Sequence, residues 1–244
     1  CQRIGSGVIG KLDDLQITNT HITWEEESGL SDLDYRNLAL GQKTEVSALE
    51  VEGQYTGDMA VDGIISYESR VSLERKDDAW FMVDLGKSYL IDKVEIDFNE
   101  RPNQYQVWIS EDGSEWTMIE EDLDCEGASR GLDTIQLDVP MRARYVKYQQ
   151  LERFTYGPNG GRYSGNFTEF EVYGYDTERF VQFIAEAQER LSSCDDGSAF
   201  AQSVYTDLQT LEAMLETGPV STMNQLANMI SDKLTMLEND NAPQ

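Results

Sequence analysis

The 244-residue sequence holds one histidine and three cysteines, and it has no apolar run near the ~18 residues a membrane-spanning helix needs. Each shortage removes a class of function. His21 stands in a Thr-rich extended stretch with no nearby cysteine or acid relay, so a nucleophilic triad is not expected. Cys1, Cys125 and Cys194 are too few and too scattered for a disulfide framework, and they match no zinc spacing. Basic residues are also scarce, 19 against 46 acidic, and the net charge of -27 repels phosphate backbones and anionic lipid headgroups. Nucleic acid and membrane insertion are therefore excluded as expected partners. No glycine loop of the phosphate-cradling kind occurs. With 46 carboxylates, any pair named for glycoside hydrolysis would carry no information, so no catalytic residue is assigned.

What is present is enough apolar material, 39% of residues, to bury a core. Three textures divide it. Residues 1–32 read as an N-terminal strand segment, the tail of an upstream domain, with Gly5, Gly7 and Gly10 bracketing Val8 and Ile9 and a turn at Asp13-Asp14. Residues 33–175 alternate with period two: Val94, Ile96, Phe98; Tyr105, Val107, Ile109; Ile135, Leu137, Val139; Phe170, Val172. That is the pattern of half-buried antiparallel strands. Turn signals at Asp112-Gly113-Ser114 and Asn159-Gly160-Gly161 and a stop at Pro140 punctuate them, as in a sandwich or barrel.

Residues 176–240 switch to a helical period. One stripe is Phe180, Phe183, Ile184, Ala187 and Leu191, ended by Asp195-Asp196-Gly197. A second is Phe200, Val204, Leu208, Leu211 and Leu215, ended by Gly218-Pro219. A capping box of Thr222 and Gln225 opens a third through Leu226, Met229, Ile230, Leu234 and Leu237. Three such helices with short links predict a small bundle, read as a spacer.

Five landmarks from Asn37 to Gly174 occur in a recognisable order. They are Ala60-Val61-Asp62-Gly63; Ser69-Arg70; Trp80 with Val83-Asp84-Leu85-Gly86; Ser110-Glu111-Asp112-Gly113-Ser114-Glu115-Trp116; and Glu169-Phe170-Glu171-Val172-Tyr173-Gly174. On these the segment resembles the discoidin, or coagulation factor 5/8 C-terminal, superfamily, and within it the family 32 carbohydrate-binding modules of bacterial glycoside hydrolases. The resemblance implies a mainly β fold, a jelly-roll β-sandwich, here followed by the C-terminal three-helix bundle, which is more loosely similar to FIVAR modules. It also implies a monomeric, non-catalytic binding module of a secreted or cell-surface bacterial enzyme, with glycans of host glycoproteins or mucins as partners. A protein-binding adhesive module is the alternative.

The same resemblance implies a structural Ca2+ ion. Asp62 matches the loop carboxylate, Glu169 the acid of the closing strand and Ser69 the hydroxyl ligand. Ile64, in place of a family acid or amide, can offer only its carbonyl, and Thr168 completes the expected ligands. For sugar, the need is an aromatic face with a few fixed polar groups. Arg101 and Asn103 in one loop, Tyr156, Arg162 and Tyr163 in a second, and Glu74 and Tyr55 on the bordering loops are the candidates. Val71 stands where the family commonly has tryptophan, and the histidine of many galactose binders is absent, so N-acetylhexosamine-containing or larger glycans stay open beside galactose.

Overall fold

The computed structural model describes residues 35–194, 197–216 and 218–240. The readings of residues 1–32, His21 among them, and of Asp195-Asp196 fall outside these. The described chain divides into compact units whose main boundary lies between Glu178 and Arg179.

The first unit is built of antiparallel strands: β1 (Arg36–Asn37), β2 (Lys43–Val46), β3 (Val71–Ser72), β4 (Trp80–Glu100), β5 (Gln104–Ser110), β6 (Thr117–Asp122), β7 (Gly131–Glu152), β8 (Phe154–Tyr156), β9 (Gly161–Tyr163) and β10 (Asn166–Tyr175). The long strands β4 and β7 explain how one connected sheet makes two layers. Trp80–Asp84 of β4 pair with residues 145–149 of β7, and residues 89–98 pair with 131–143, with the register broken between the two stretches. The first stretch has β2 and β5 as outer neighbours, and the second has β10. Gly86 marks the break in β4 at φ +86°, a conformation that a side chain would strain.

A second irregularity, opposite Asp92, leaves residues 137–140 of β7 without ladder partners, and here the sequence reading needs correction. Pro140 does not end the strand, because it sits where the ladder already lacks partners and its missing N–H costs nothing. Val139, expected to face inward, is exposed for the same reason, while Ile135 is buried and Leu137 packs partly against the core. The other period-two runs are buried as expected.

Aromatic rings join the layers. Phe81 of the first meets Phe167 edge-on at 5.3 Å and Phe170 at 5.1 Å from the second. Tyr148, Tyr105 and Phe98 extend the cluster at 5.2–6.1 Å. Such pairs add about 0.5–1.5 kcal/mol each beyond the area they bury.

The second unit holds α1 (Glu178–Cys194), α2 (Ala199–Met214) and α3 (Val220–Asp240). Arg190 pairs with Glu238 at 2.9 Å to tie α1 to α3, and Lys233 pairs with Asp207 at 2.6 Å to tie α3 to α2. The buried stripes are rotated slightly from the predicted ones: Ala201 and Ala227 face inward, whereas Phe200 and Met229 are exposed. Small residues let helix axes approach closely, which turns the bulkier neighbours out. The third helix begins at Val220, so Thr222 lies in its first turn instead of capping it. Pro219 just before the start has the fixed φ that a first turn needs. Among the described residues no helix is long and apolar enough to cross a membrane.

Candidate functional site

Asp62, Ile64, Ser69 and Glu169, expected to hold a cation, come together where the Asp62-Gly63 turn meets β10. Gly63 adopts φ +80°, which aims two successive backbone N–H groups at one carboxylate. Gly63 and Ile64 donate to Glu169 Oε1 at 2.7 and 2.9 Å. Asp62 Oδ1 accepts from the Ile64 N–H at 2.8 Å, and Asp62 Oδ2 accepts from the Ser69 hydroxyl. Glu169 is only 2% exposed, and its Oε2 is buried with no hydrogen-bond partner among the described residues. Burial, then the neighbouring Asp62, pushes the Glu169 carboxyl up to about 7.

This donor set fits a hard cation. It offers two carboxylates, a hydroxyl and backbone carbonyls, all oxygen, and one carboxylate oxygen otherwise unsatisfied. Among the described residues no three His, Cys, Asp or Glu cluster around a metal position, so carbonyl and hydroxyl oxygens would have to complete the shell. The Ile64 carbonyl already accepts from Ser66 at 3.0 Å and keeps one lone pair. The Thr168 hydroxyl donates to the Asp97 carbonyl and carboxylate at 3.1 Å each, which leaves its oxygen lone pairs, like those of Ser69, to the role expected of it.

The predicted sugar residues lie among loops that backbone bonds gather at one end of the sandwich. Glu74 donates to the Ala48 carbonyl at 2.9 Å, Asn103 to Glu152 at 2.9 Å, and Ala128 to Arg101 at 2.9 Å. Strands β8 and β9 form a hairpin there, with Tyr156 opposite Gly161 and Phe154 opposite Tyr163. Tyr156, 64% exposed, is the free aromatic face. Tyr163 is engaged instead, stacked on Phe154 with ring centroids 6.0 Å apart and overlaid by the Arg75 guanidinium at 4.3 Å. Arg162 reaches Asp77 at 3.2 Å.

The other candidates are held by the protein. Arg101 is not a free donor for sugar: its guanidinium grips Asp133, with Nε at 3.0 and 3.1 Å from the two carboxylate oxygens, and bonds Ser129 at 3.1 Å. Tyr105 donates to the same Asp133 at 3.0 Å, so a polar knot next to the core consumes the arginine. The Asn103 side chain packs so tightly on Gly127 that a Cβ there would lie 2.1 Å from its Oδ1. Glu74 pairs with Lys76 at 2.7 Å. Tyr55, at φ +51°, carries the Arg70 guanidinium 3.7 Å above its ring, and Arg70 also lies 4.0 Å from the Tyr67 ring.

Sequence reasoning missed Glu50, Arg75, Asp77 and Arg153. Arg75 bonds Glu50 at 2.8 Å, and Arg153 bonds Asp77 at 2.9 Å while donating to the Arg75 carbonyl at 2.6 Å. The Arg153 hydrogen bond leads in holding the Asp77 carboxyl below its ordinary range. The one signal for Arg75 and Asp77 was the charged run Glu74-Arg75-Lys76-Asp77-Asp78, which reads equally well as a solvated turn, and Glu50 and Arg153 had none.

Comparison with known proteins places this architecture. The profile of the F5/8 type C domain matches residues 42–170. The polysaccharide lyase 8 family protein HylA of Enterococcus faecalis is 29% identical over 139 residues, 57% of this chain. The match spans 10% of that curated relative's length. Chitosan-binding module 1 from a chitosanase/glucanase of Paenibacillus sp. IK-5 is 28% identical, with 57% of this chain and 99% of the module covered at a TM-score of 0.48. CpGH89CBM32-4 of Clostridium perfringens, solved with GlcNAc-α-1,4-galactose, is 13% identical, covering 59% of this chain and 97% of that one at a TM-score of 0.49. Since the profile takes in more than half of its residues, the chain belongs to the F5/8 type C, or discoidin-like, domain family.

Proposed function

We propose that the sandwich is a non-catalytic carbohydrate-binding module, stabilised by calcium at Asp62 and Glu169, that holds an attached carbohydrate-active enzyme on its glycan. The observation that carries this reading is the β8–β9 hairpin. Its tip exposes the Tyr156 ring, and its second strand supplies Arg162, which together with Arg153 holds Asp77. An exposed ring packs on the apolar face of a pyranose, and fixed polar groups select hydroxyl orientations. Family membership of residues 42–170 and the similarity to a protein named as a polysaccharide lyase support the setting. The parent enzyme is taken to be bacterial and secreted or displayed at the cell surface, and the glycans to be host or mucin-type, containing galactose or N-acetylhexosamine.

Binding at a single such site is weak, because one ring and a few polar contacts must order a flexible sugar. A glycan array followed by calorimetric titration tests the proposal. Saturable binding that Tyr156→Ala abolishes, with the melting temperature unchanged, supports it. The absence of any saccharide ligand across the array would sink it.

A further inference from the structure

A second concavity, with no hairpin residue in its lining, lies between the loop that follows Gly63 and the start of β7. It encloses about 330 Å³ and is lined by Ile65, Ser66, Tyr67, Asp97, Asn99 and Arg130, among others. That is the small end of the ~300–1,000 Å³ range of ligand clefts. Its walls differ in kind. Ile65 is 71% exposed and Tyr67 54%, an apolar and aromatic pair left open to solvent within a few residues of each other. Tyr67 is held in place by Arg70, whose guanidinium lies 4.0 Å from the ring and donates to the Tyr67 carbonyl. The floor is polar: Asp97 accepts from Thr168, and Asn99, itself buried, donates to Asn166 at 2.7 Å. These side chains are fixed before any ligand arrives.

Arg130 decides the chemistry of what fits. Elsewhere in the sandwich Arg75, Arg101, Arg144, Arg153 and Arg162 each hold a carboxylate within 3.2 Å. Arg130 is exposed at the cavity and forms no ion pair or hydrogen bond through its side chain with the described residues. Arg36 and Arg70 also lack a carboxylate partner among the described residues, but of the residues lining this cleft Arg130 is the single cation. Guanidinium binds carboxylates with two parallel hydrogen bonds, a geometry that neutral hydroxyls do not match.

We infer that this cleft is a second saccharide site, selective for a carboxylate-bearing sugar unit of the uronic-acid kind. The ring's apolar face would rest on Tyr67 and Ile65, hydroxyls would meet Asp97 and Asn99, and the carboxylate would meet Arg130. The site is separate from the hairpin and stands or falls independently of it.

Titration of the full chain with D-glucuronic acid, followed by amide ¹H–¹⁵N correlation spectra with D-glucose as the neutral control, tests the inference. Expected are saturable shifts at Ser66, Tyr67, Asn99, Arg130 and Gly131 with glucuronic acid, and at least ~10-fold weaker response to glucose. Arg130→Gln, on an exposed loop and with its spectrum otherwise unchanged, should weaken glucuronic acid by ~10-fold or more, the scale of a hydrogen bond to a charged group. Failure to saturate at these residues, shifts confined to 154–163, an equal response to glucose, or an undiminished response in Arg130→Gln would each overturn it.

Discussion

At the Asp62–Glu169 corner two carboxylates share one place with no basic side chain of the described residues bonded to either, whereas Asp77 is held by both Arg153 and Arg162. The residue types are alike and the balances opposite. The first corner is electrostatically incomplete: one buried carboxylate oxygen lacks a partner, and Glu169 is driven toward its neutral form. The second is complete within the protein, so nothing there calls for an ion. A ligand at the hairpin would meet an exposed ring instead. In the proposed function this difference puts the cation at the unsatisfied charge and the sugar at the open aromatic face.

Removing calcium at neutral pH and changing pH without it should give the two largest effects. An ion present at about 100 times its Kd contributes roughly 2.7 kcal/mol. For a chain of this size that corresponds to a fall of about 5–10 °C in melting temperature on thorough chelation. Calorimetry that finds no difference between chelated and calcium-loaded protein would erase the contrast between the corners.

The chelated protein should then show an inverted pH dependence. The folded Glu169 titrates near 7, above its ordinary 4.5, so between those values the folded state binds more protons than the unfolded one. Stability from this group is therefore greatest below about 4.5 and falls as pH rises toward 7, by at most about 3 kcal/mol. Denaturant titrations at pH 5 and 7.5 with and without calcium would measure it. Glu169→Gln should flatten the slope and also remove the calcium response.

Tyr156→Ala should weaken glycan binding by ~10-fold or more, the contribution of one ring face, without moving the melting temperature. A matched loss of stability would place Tyr156 in the packing and merge the two kinds of corner. The smallest effect is expected at the satisfied corner. Asp77→Asn removes the charge from partly exposed ion pairs and should shift stability by under about 1 kcal/mol, read from the midpoint of urea unfolding.

Legibility tracked how local each cause is. Phe98, Tyr105, Ile109 and Phe170 announce their burial through period two, which depends only on the alternation of side chains along a strand. Asp62 and Glu169 could be paired across 106 intervening residues only through the resemblance of their landmarks, and the structure does bring them together. Arg101 looked free because its partner Asp133 lies 32 residues further on. Nothing in a loop of Asn, Glu, Arg and Pro tells a sugar contact from a half-buried ion pair. Phe200 and Met229 were misplaced by a fraction of a helical turn, since a stripe fixes a face only to within the width that packing later selects.

The sequence by itself determined the class of the molecule: strands by alternation, helices by a 3.6-residue period, and the family by five landmarks in order. Tertiary structure alone decided which charges are spent. It bent β4 and β7 between layers, carrying Pro140 through a strand, and it joined Arg101 to Asp133 and Arg153 to Asp77. It left Glu169 Oε2, Tyr156 and Arg130 unengaged by the described residues. The reason is that periodicity is a property of neighbours along the chain, whereas the satisfaction of a charge depends on which distant groups the fold brings within about 3 Å.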